Sequence, residues 1–296
     1  MMTFFRSKLL HTSVVVLMLA ATTQANAGET INNVGITMVD IPAGSFKMGA
    51  CKESRSAAEE NKKRAFLGQS QAKLNCGKTD PEAEDHETPQ HLVRVGKFQM
   101  GKTEVTLGQF KKFIADSGNT QLLSDDFIKY NAFGDNAPVV FVSWSDAKLF
   151  INWLNNVAGG GYRLPSESEW EYACRAGANH TYCGSNKVED VAWYGKNSDH
   201  RQHTVGTKKA NAFGLYDMSG NAGEWVEDCW HEGYVGAPTD GSAWSNNCDN
   251  NGVAFVLRGG YWVDFASFTR STDRHINRLD GRAAWYGFRL ARTVAP

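Results

Sequence analysis

The stretch Asn211-Ala-Phe-Gly-Leu-Tyr-Asp-Met-Ser-Gly-Asn-Ala-Gly-Glu-Trp225 carries the pattern that decides the fold. It lies within residues 182–254, where the sequence indicates no convincing long helix or strand and where Gly, Asn, Asp, Ser and Trp are frequent. So much irregular chain is typical of packed functional loops that disulfides or metal ions hold in place. Nine Trp and sixteen Phe supply the apolar bulk needed to bury such loops.

Short regular elements surround this irregular centre. Capping residues followed by apolar positions at helical spacing predict three helices. Their predicted starts are Thr106, Ser145 and Ser166, and their predicted ends are Gly118, Gly159 and Gly177. The predicted strands are Thr37–Ile41, His91–Gln99, Phe255–Arg258 and Gly287–Arg292.

Composition excludes several classes of protein. The 296 residues include 31 Lys and Arg against 32 Asp and Glu, and 42% of them are hydrophobic. Such a chain can bury a sizeable core, so wholesale disorder is excluded. The near-zero net charge argues against a nucleic-acid partner, which selects for a basic face, and against a polybasic membrane-surface protein. We find no linker, and we predict one domain over residues 28–296, with a polar surface insertion at residues 51–87.

Residues 1–27 have the pattern of a cleaved signal peptide. Arg6 and Lys8 give a positive start, a short apolar run follows, and Ala25-Asn26-Ala27 supplies small residues at the cleavage positions. The apolar run is short for a membrane span, and no second stretch is long enough. We therefore predict an exported protein, periplasmic or secreted, without a membrane span after cleavage.

The predicted export determines how the six cysteines are interpreted. In an oxidising compartment an even number of cysteines predicts three disulfides, although the sequence leaves 15 connectivities open. Pairing of sequence neighbours is the simplest arrangement. It would join Cys51 to Cys76, Cys174 to Cys183 and Cys229 to Cys248.

Seven segments in fixed order carry a family resemblance. They are residues 38–49, 101–106, 138–144, 162–172, 211–225, 257–262 and 287–292. Together they resemble the formylglycine-generating enzyme, or sulfatase-modifying factor, superfamily, over almost the whole chain after the signal peptide. The resemblance implies an α+β fold, namely that superfamily's variant of the C-type lectin fold, with short antiparallel sheets, few helices and much ordered loop.

The copper chemistry of the family is not matched. Copper-dependent members carry two cysteines shortly after an Arg-Gly-Gly turn, and soft thiolates suit copper(I). Counted from Arg258-Gly259-Gly260, the corresponding positions are Asp264 and Thr269. Neither side chain is a thiolate ligand, so we do not expect thiolate-bound copper, and the identity of any redox metal stays open.

Two other branches of the superfamily are comparable. Sulfoxide synthases of the ergothioneine pathway add a helical domain with histidine iron ligands, which this chain lacks. His200 and His203 stand three apart in a loop-like segment and are interpreted as surface polar residues. The exported pyoverdine-maturation branch is similar in its export signal and in lacking the copper cysteines.

The resemblance also implies a structural calcium site. In the family, a side-chain oxygen, two backbone carbonyls and a Glu carboxylate of the 211–225 segment bind the ion. The matching positions are Asp217, Gly220, Ala222 and Glu224. Calcium prefers such hard oxygen ligands. The alternative is a hydrogen-bonded turn without an ion.

A polar cluster lies near the lost cysteines. Asp264 and His275, with Trp262 nearby, are the candidate catalytic residues, because a carboxyl and an imidazole can act as general acid and base. Arg270, Arg274, Trp285 and Tyr286 form a candidate pocket for an anionic or planar ligand. In the alternative interpretation, several arginines tie loops to carboxylates inside the fold.

Two functions follow as hypotheses. The first is an exported protein of this superfamily that assists oxidative maturation of a peptide or peptide-derived substrate without the copper and cysteine mechanism. The second is a non-catalytic, lectin-like binding module for a glycan, a peptide or a partner protein.

Overall fold

The computed structural model describes residues 28–53, 55–70, 76, 79–249 and 253–294. The predicted signal peptide lies outside the described residues. In the described part, no helix is long and apolar enough to cross a membrane.

Thirteen short strands form four small sheets in the described part of the chain. They are β1 Glu29–Ile31, β2 Thr37–Ile41, β3 Gly44–Met48, β4 His91–Val95, β5 Phe98–Gly101, β6 Tyr162–Arg163, β7 Ala192–Trp193, β8 Ser219–Gly220, β9 Gly223–Cys229, β10 Ala254–Arg258, β11 Arg274–Arg278, β12 Tyr286–Phe288 and β13 Ala291–Thr293. One sheet has the order β1-β2-β5-β13-β6 and a second has the order β11-β10-β9-β12, while β3 with β4 and β7 with β8 form pairs. Most neighbours are antiparallel, as the resemblance implied, but β12 runs parallel to β9 and β7 runs parallel to β8.

Six α-helices connect the strands in the described residues. They are α1 Arg55–Phe66, α2 Leu107–Ser117, α3 Asp125–Tyr130, α4 Trp144–Val157, α5 Glu167–Arg175 and α6 Val188–Val191. The predicted capping box at Ser166 is confirmed, since its hydroxyl accepts the backbone N–H of Glu169. The predicted cap at Thr106 is confirmed in the same way through Gln109. These local bonds satisfy the first free N–H groups of the two helices.

The structure corrects four sequence predictions. Helix α4 is capped by Ser143, not Ser145, because Ser143 and Asp146 form the capping box. The strand predicted at His91–Gln99 is two strands, β4 and β5, and the strand predicted at Gly287–Arg292 is β12 and β13. Residues 182–254 also contain β9, a seven-residue strand whose side chains are nearly all buried and so lack the alternation that marks a half-exposed strand.

Two large apolar clusters form most of the core in the described residues. The first packs α2 and α4 around Phe110, Phe150 and Phe288. The second lies between α5 and the sheets and includes Trp170 and Val226. Full burial of each such aromatic side chain contributes about 2–3 kcal/mol through the hydrophobic effect.

Three disulfides join the cysteines as the neighbour arrangement predicts. The bridged pairs are Cys51–Cys76, Cys174–Cys183 and Cys229–Cys248, with Cα–Cα distances of 5.6, 4.7 and 5.7 Å. The predicted polar insertion includes the exposed helix α1, but its end at Glu87 is fully buried. The insertion is therefore anchored in the core at both of its margins, by Cys51 and by Glu87.

Candidate functional site

A tight turn after β10 folds the 261–269 loop back against the sheet. At Gly260, where φ is +70°, a Cβ would lie 2.3 Å from the carbonyl oxygen of Phe268, so only glycine permits the close approach. On its other side, the N–H of Gly195 donates to the carbonyl of Asp264 at 2.8 Å. The hydroxyl of Ser198 donates to the carbonyl of Trp262 at 2.7 Å. The loop is thus held from both sides.

This loop brings Asp264 next to His275 of β11. The Nε2 atom of His275 lies 4.0 Å from Oδ2 of Asp264 and 2.7 Å from Oδ2 of Asp273. The side chains of His275 and Asp264 are 21% and 15% exposed, whereas that of Asp273 is 3% exposed. One imidazole nitrogen therefore faces a surface carboxyl and a buried carboxyl.

The surroundings raise the pKa values of both members of this pair. Burial raises the pKa of Asp264 to about 6, although the nearby His275 opposes the rise. Burial alone would lower the pKa of His275, but the bond and the charge of Asp273, together with Asp264, outweigh it and raise that pKa. A carboxyl with a pKa near 6 beside an imidazole is suited to general acid–base chemistry.

Aromatic side chains surround the pair. The Tyr261 ring lies 4.8 Å from the His275 ring and the Phe268 ring lies 5.9 Å from it. Phe265 is 78% exposed. The Trp262 indole packs edge-on against Trp285 at 6.3 Å. Titratable groups beside exposed aromatic surface can hold and react with a ligand that has an apolar part.

Three buried arginines fix the backbone that carries His275. Arg258 donates to the carbonyls of Ser271, Thr272 and Asp273, and to Glu171 at 2.7 Å. Arg270 and Arg274, on either side of this segment, are also buried. Their bonds make residues 271–274 rigid, which positions both Asp273 and His275.

The structure corrects the predicted ligand pocket at Arg270 and Arg274. Arg270 is committed to Glu87 at 2.7 and 2.8 Å. Arg274 is committed to Glu167 at 2.6 and 2.9 Å. Removing a guanidinium group from water costs free energy unless a carboxylate pairs with it in this way. The two side chains therefore tie loops to carboxylates inside the fold.

The other predicted pocket residues take separate places. Trp285 is half-buried, with its ring 6.1 Å from Tyr261. Tyr286 is buried and accepts a hydrogen bond from Asn277. Thr269, at the second copper-cysteine position, is fully buried and donates to the carbonyl of Ala266. Of the predicted residues, Asp264 lies beside His275, and Trp262 packs against Trp285. The Tyr261 ring contacts both His275 and Trp285.

The two histidines that were interpreted as surface polar residues differ in their surroundings. His203 stacks on Trp193 at 3.8 Å and lies within hydrogen-bond distance of the carbonyl of Ser198, while His200 is exposed. In the described residues, no group of three or more His, Cys, Asp or Glu side chains is arranged to hold a metal ion.

The expected calcium ligands fit only in part. Asp217 is buried, and its Oδ1 atom has no hydrogen-bond partner. Glu224, by contrast, receives Arg289 on both oxygens at 2.7 Å and Trp170 at 2.6 Å. The Glu224 carboxylate is already neutralised by an arginine, so the expected ligand set does not hold as a whole.

Sequence reasoning gave too little weight to Asp273. It stands two residues before His275, just ahead of the first residue of β11, Arg274. Its closeness to His275 in sequence could have marked it as a candidate partner. Phe265 and Phe268 carried no such signal, because exposed aromatics in a loop cannot be told from buried ones by sequence.

Asp264→Asn should flatten the pH dependence of stability. The Asp264 carboxyl ionises near pH 6 in the folded protein, against about pH 4 in an unfolded chain. Its ionisation therefore disfavours the folded state, and stability is lost as pH rises from about 4 to 6. We expect the variant to gain about 2 kcal/mol more at pH 8 than at pH 4, measured by urea unfolding. The exposed Asp126→Asn is the control, and a gain independent of pH would contradict the assignment.

Comparison with known proteins places these features in context. Residues 23–294 match the family described as the sulfatase-modifying factor enzyme 1-like domain. The chaperone protein LppX of Paenibacillus barcinonensis is 29% identical over 224 residues, covering 58% of this chain and 71% of that protein. The formylglycine-generating enzyme of Mus musculus is 27% identical over 283 residues, covering 75% of this chain and 73% of that enzyme. The solved structure of PvdO from Pseudomonas aeruginosa superposes with a TM-score of 0.72 at 28% identity, covering 91% of this chain and 99% of PvdO.

Proposed function

Because the chain belongs to the family of sulfatase-modifying factor enzyme 1-like domains, we propose that it assists the oxidative maturation of a peptide or peptide-derived substrate through Asp264 and His275. One observation carries this proposal. Asp264, which stands at the first copper-cysteine position, faces His275 at 4.0 Å on a partly exposed surface.

Thiolate-bound copper does not fit the residues present. All six cysteines are joined in disulfides. Copper(I) favours soft thiolate ligands, which a disulfide does not provide. Asp264 and Thr269 supply only oxygen at the two relevant positions. The chemistry at this site is therefore proposed to differ from that of the copper-dependent members.

The Asp264–His275 pair would act as an acid–base pair. With its pKa near 6, the Asp264 carboxylate can take a proton from a substrate O–H, N–H or C–H group, and protonated His275 stabilises the charge that forms. For an oxidation, the substrate loses two hydrogens in all. Dissolved oxygen, the oxidant proposed here, accepts the two electrons and two protons as hydrogen peroxide.

The compartment is part of the same proposal. Three disulfides are typical of proteins that fold in an oxidising environment outside the cytosol. Together with the predicted signal peptide, they support an exported protein, periplasmic or secreted.

An untargeted substrate search tests the proposal. Purified protein is incubated in air with a low-molecular-mass extract from a strain that lacks the gene, and the extract is analysed by mass spectrometry. We expect at least one peptide-derived species to lose two hydrogens, with an equivalent amount of hydrogen peroxide. An extract that stays unchanged, with no peroxide above the protein-free control, would contradict an oxidative role.

A binding function is the second candidate, and the exposure of Phe265 favours it. An exposed aromatic ring beside charged groups is typical of a recognition surface. The relative LppX, which is named a chaperone protein, supports such a role. Under this alternative, immobilised protein would retain a species from the extract unchanged, and Phe265→Ser would lose it.

A further inference from the structure

A cleft of about 870 Å³ lies outside the candidate functional site. Most of its lining comes from residues 45–47 and 49–51, residues 79–82 of the polar insertion, residues 177–181 after α5, and residues 270–272. Neither Asp264 nor His275 is among the described residues of this lining. A volume in this range is typical of a ligand site. The cleft therefore has room for a ligand that the proposed function does not involve.

Strand β3, which borders the cleft, has a free edge. In the described residues it pairs with β4 alone. Along an antiparallel pair, residues whose backbone groups bond to the partner strand alternate with residues whose groups point away from it. The N–H of Arg94 donates to the carbonyl of Thr239, outside this pair, at 2.8 Å. Its register partner Ser45 therefore also points its N–H and C=O away from β4, and so does Lys47, two residues further on.

The fold satisfies this edge at one end and leaves it bare beside the cleft. Gly49 is the next residue that points the same way, and its N–H donates to the Glu171 carboxylate at 2.9 Å. The carbonyl of Gly49 accepts the side-chain amide of Gln90 at 3.0 Å. For the outward groups of Ser45 and Lys47, no protein partner is found in the described part of the chain. Unpaired N–H and C=O groups on an edge strand are a template for pairing with another chain.

Three side-chain amides line the same cleft, and each is held by one of its two polar atoms. Nε2 of Gln90 donates to a backbone carbonyl at 3.0 Å. Oδ1 of Asn179 accepts from Arg175 at 3.2 Å, and Oδ1 of Asn186 accepts the N–H of Thr181 at 2.9 Å. Among the described residues, the second polar atom of each amide has no hydrogen-bond partner. A carboxamide carries the same donor and acceptor types as a peptide group, so these positioned atoms can bond to the backbone of a bound peptide.

We propose that this cleft binds an extended peptide segment of a partner protein, which adds to β3 as a further strand. The outward N–H and C=O groups of Ser45 and Lys47 would supply the main-chain hydrogen bonds that give such complexes their affinity. This inference does not rest on the proposed function, because its evidence lies in the strand edge and the cleft.

The side chains of β3 define what the peptide should carry. Phe46 is half-buried between the exposed Ser45 and Lys47, and its ring lies 5.5 Å from that of Tyr172. Side chains that face each other on neighbouring strands lie on the same face of the sheet. We therefore expect an apolar peptide side chain beside Phe46. The bare strand edge favours a peptide over a glycan, because a glycan has no N–H and C=O groups at strand spacing.

Selection from a phage library of random linear peptides tests the proposal. The enriched peptide is synthesised, and its affinity for the protein is measured by fluorescence anisotropy. We expect apolar residues at alternating positions of the enriched sequence. N-methylation of alternating backbone amides should weaken binding at least about tenfold, because it removes main-chain donors, whereas N-methylation of the amides between them should change it less than about threefold. A library from which no peptide is enriched, or equal effects at all amides, would overturn the proposal.

Two substitutions of Lys47 locate the peptide on the strand edge. Lys47→Pro removes the outward N–H but no donor of the β3–β4 ladder, so we expect the variant to fold, as verified by thermal unfolding. It should bind the enriched peptide at least about tenfold more weakly. The control Lys47→Ala removes the charge but keeps the N–H, and its affinity should stay within about threefold of the parent.

Three outcomes of this comparison would overturn the proposal. Equal losses in the two variants would assign binding to the lysine charge. Unchanged affinity in both would place the peptide elsewhere on the protein. Retention of a glycan on a glycan array by both the parent and Lys47→Pro, with no peptide enriched from the phage library, would assign the cleft to sugars.

Discussion

Replacing Arg274 with methionine is expected to destabilise the protein by about 3–5 kcal/mol. The guanidinium binds both oxygens of Glu167 and the carbonyls of His86 and His231. It also lies over the rings of Trp230 and Tyr234 at 4.6 and 4.5 Å. Methionine would fill much of the space but would leave the Glu167 carboxylate buried, with Arg258 as its remaining cationic neighbour at 3.7 Å.

Arg278→Met provides the matched control for this change. Arg278 lies four residues further along β11, with 65% of its side chain exposed and Asp280 as its ion-pair partner. Surface ion pairs contribute about 0–1 kcal/mol, so the control should lose less than about 1 kcal/mol. Urea unfolding of both variants gives the comparison. Equal losses in the two variants would show that Arg274 is not an anchor of the core.

His275→Gln is expected to lower turnover by about 100- to 10,000-fold, because a positioned acid–base group contributes this much to a reaction rate. The decrease should appear in kcat, because the imidazole is proposed to act while the proton is transferred. Glutamine is close in size and remains polar, so the strand β11 should stay folded. The assay is peroxide release with the substrate that the extract search identifies.

His200→Gln is the control for the loss of an imidazole. His200 is exposed, and no contact between it and Asp264 is found in the described residues. Turnover should therefore remain within about twofold of the parent protein. Turnover retained in His275→Gln, with folding verified by unfolding experiments, would show that the chemistry does not pass through the pair.

Local patterns in the sequence predicted the local structure well. Thr106 and Ser166 identify two helix starts because capping is decided by residues three apart. The disulfide pairs are those of the neighbour arrangement, the simplest of the 15 connectivities that the sequence leaves open. Asp264 and His275 were identified by their types and by the motif that precedes them, and the structure places them together.

Long-range pairing could not be predicted in the same way. Glu87 and Arg270 lie 183 residues apart, and Glu167 and Arg274 lie 107 apart, so no local pattern marks them as partners. An arginine next to aromatic residues has the same sequence pattern whether it lines a pocket or is buried and paired in the core.

The pKa of His275, measured by NMR titration of its imidazole, tests the central claim most directly and needs no substrate. We expect a pKa above the ordinary value of about 6.5 in the parent protein, and a lower pKa in Asp264→Asn, because the variant removes one of the two facing carboxylates. A pKa at or below about 6.5 that Asp264→Asn leaves unchanged would show that Asp264 and His275 do not act as a pair.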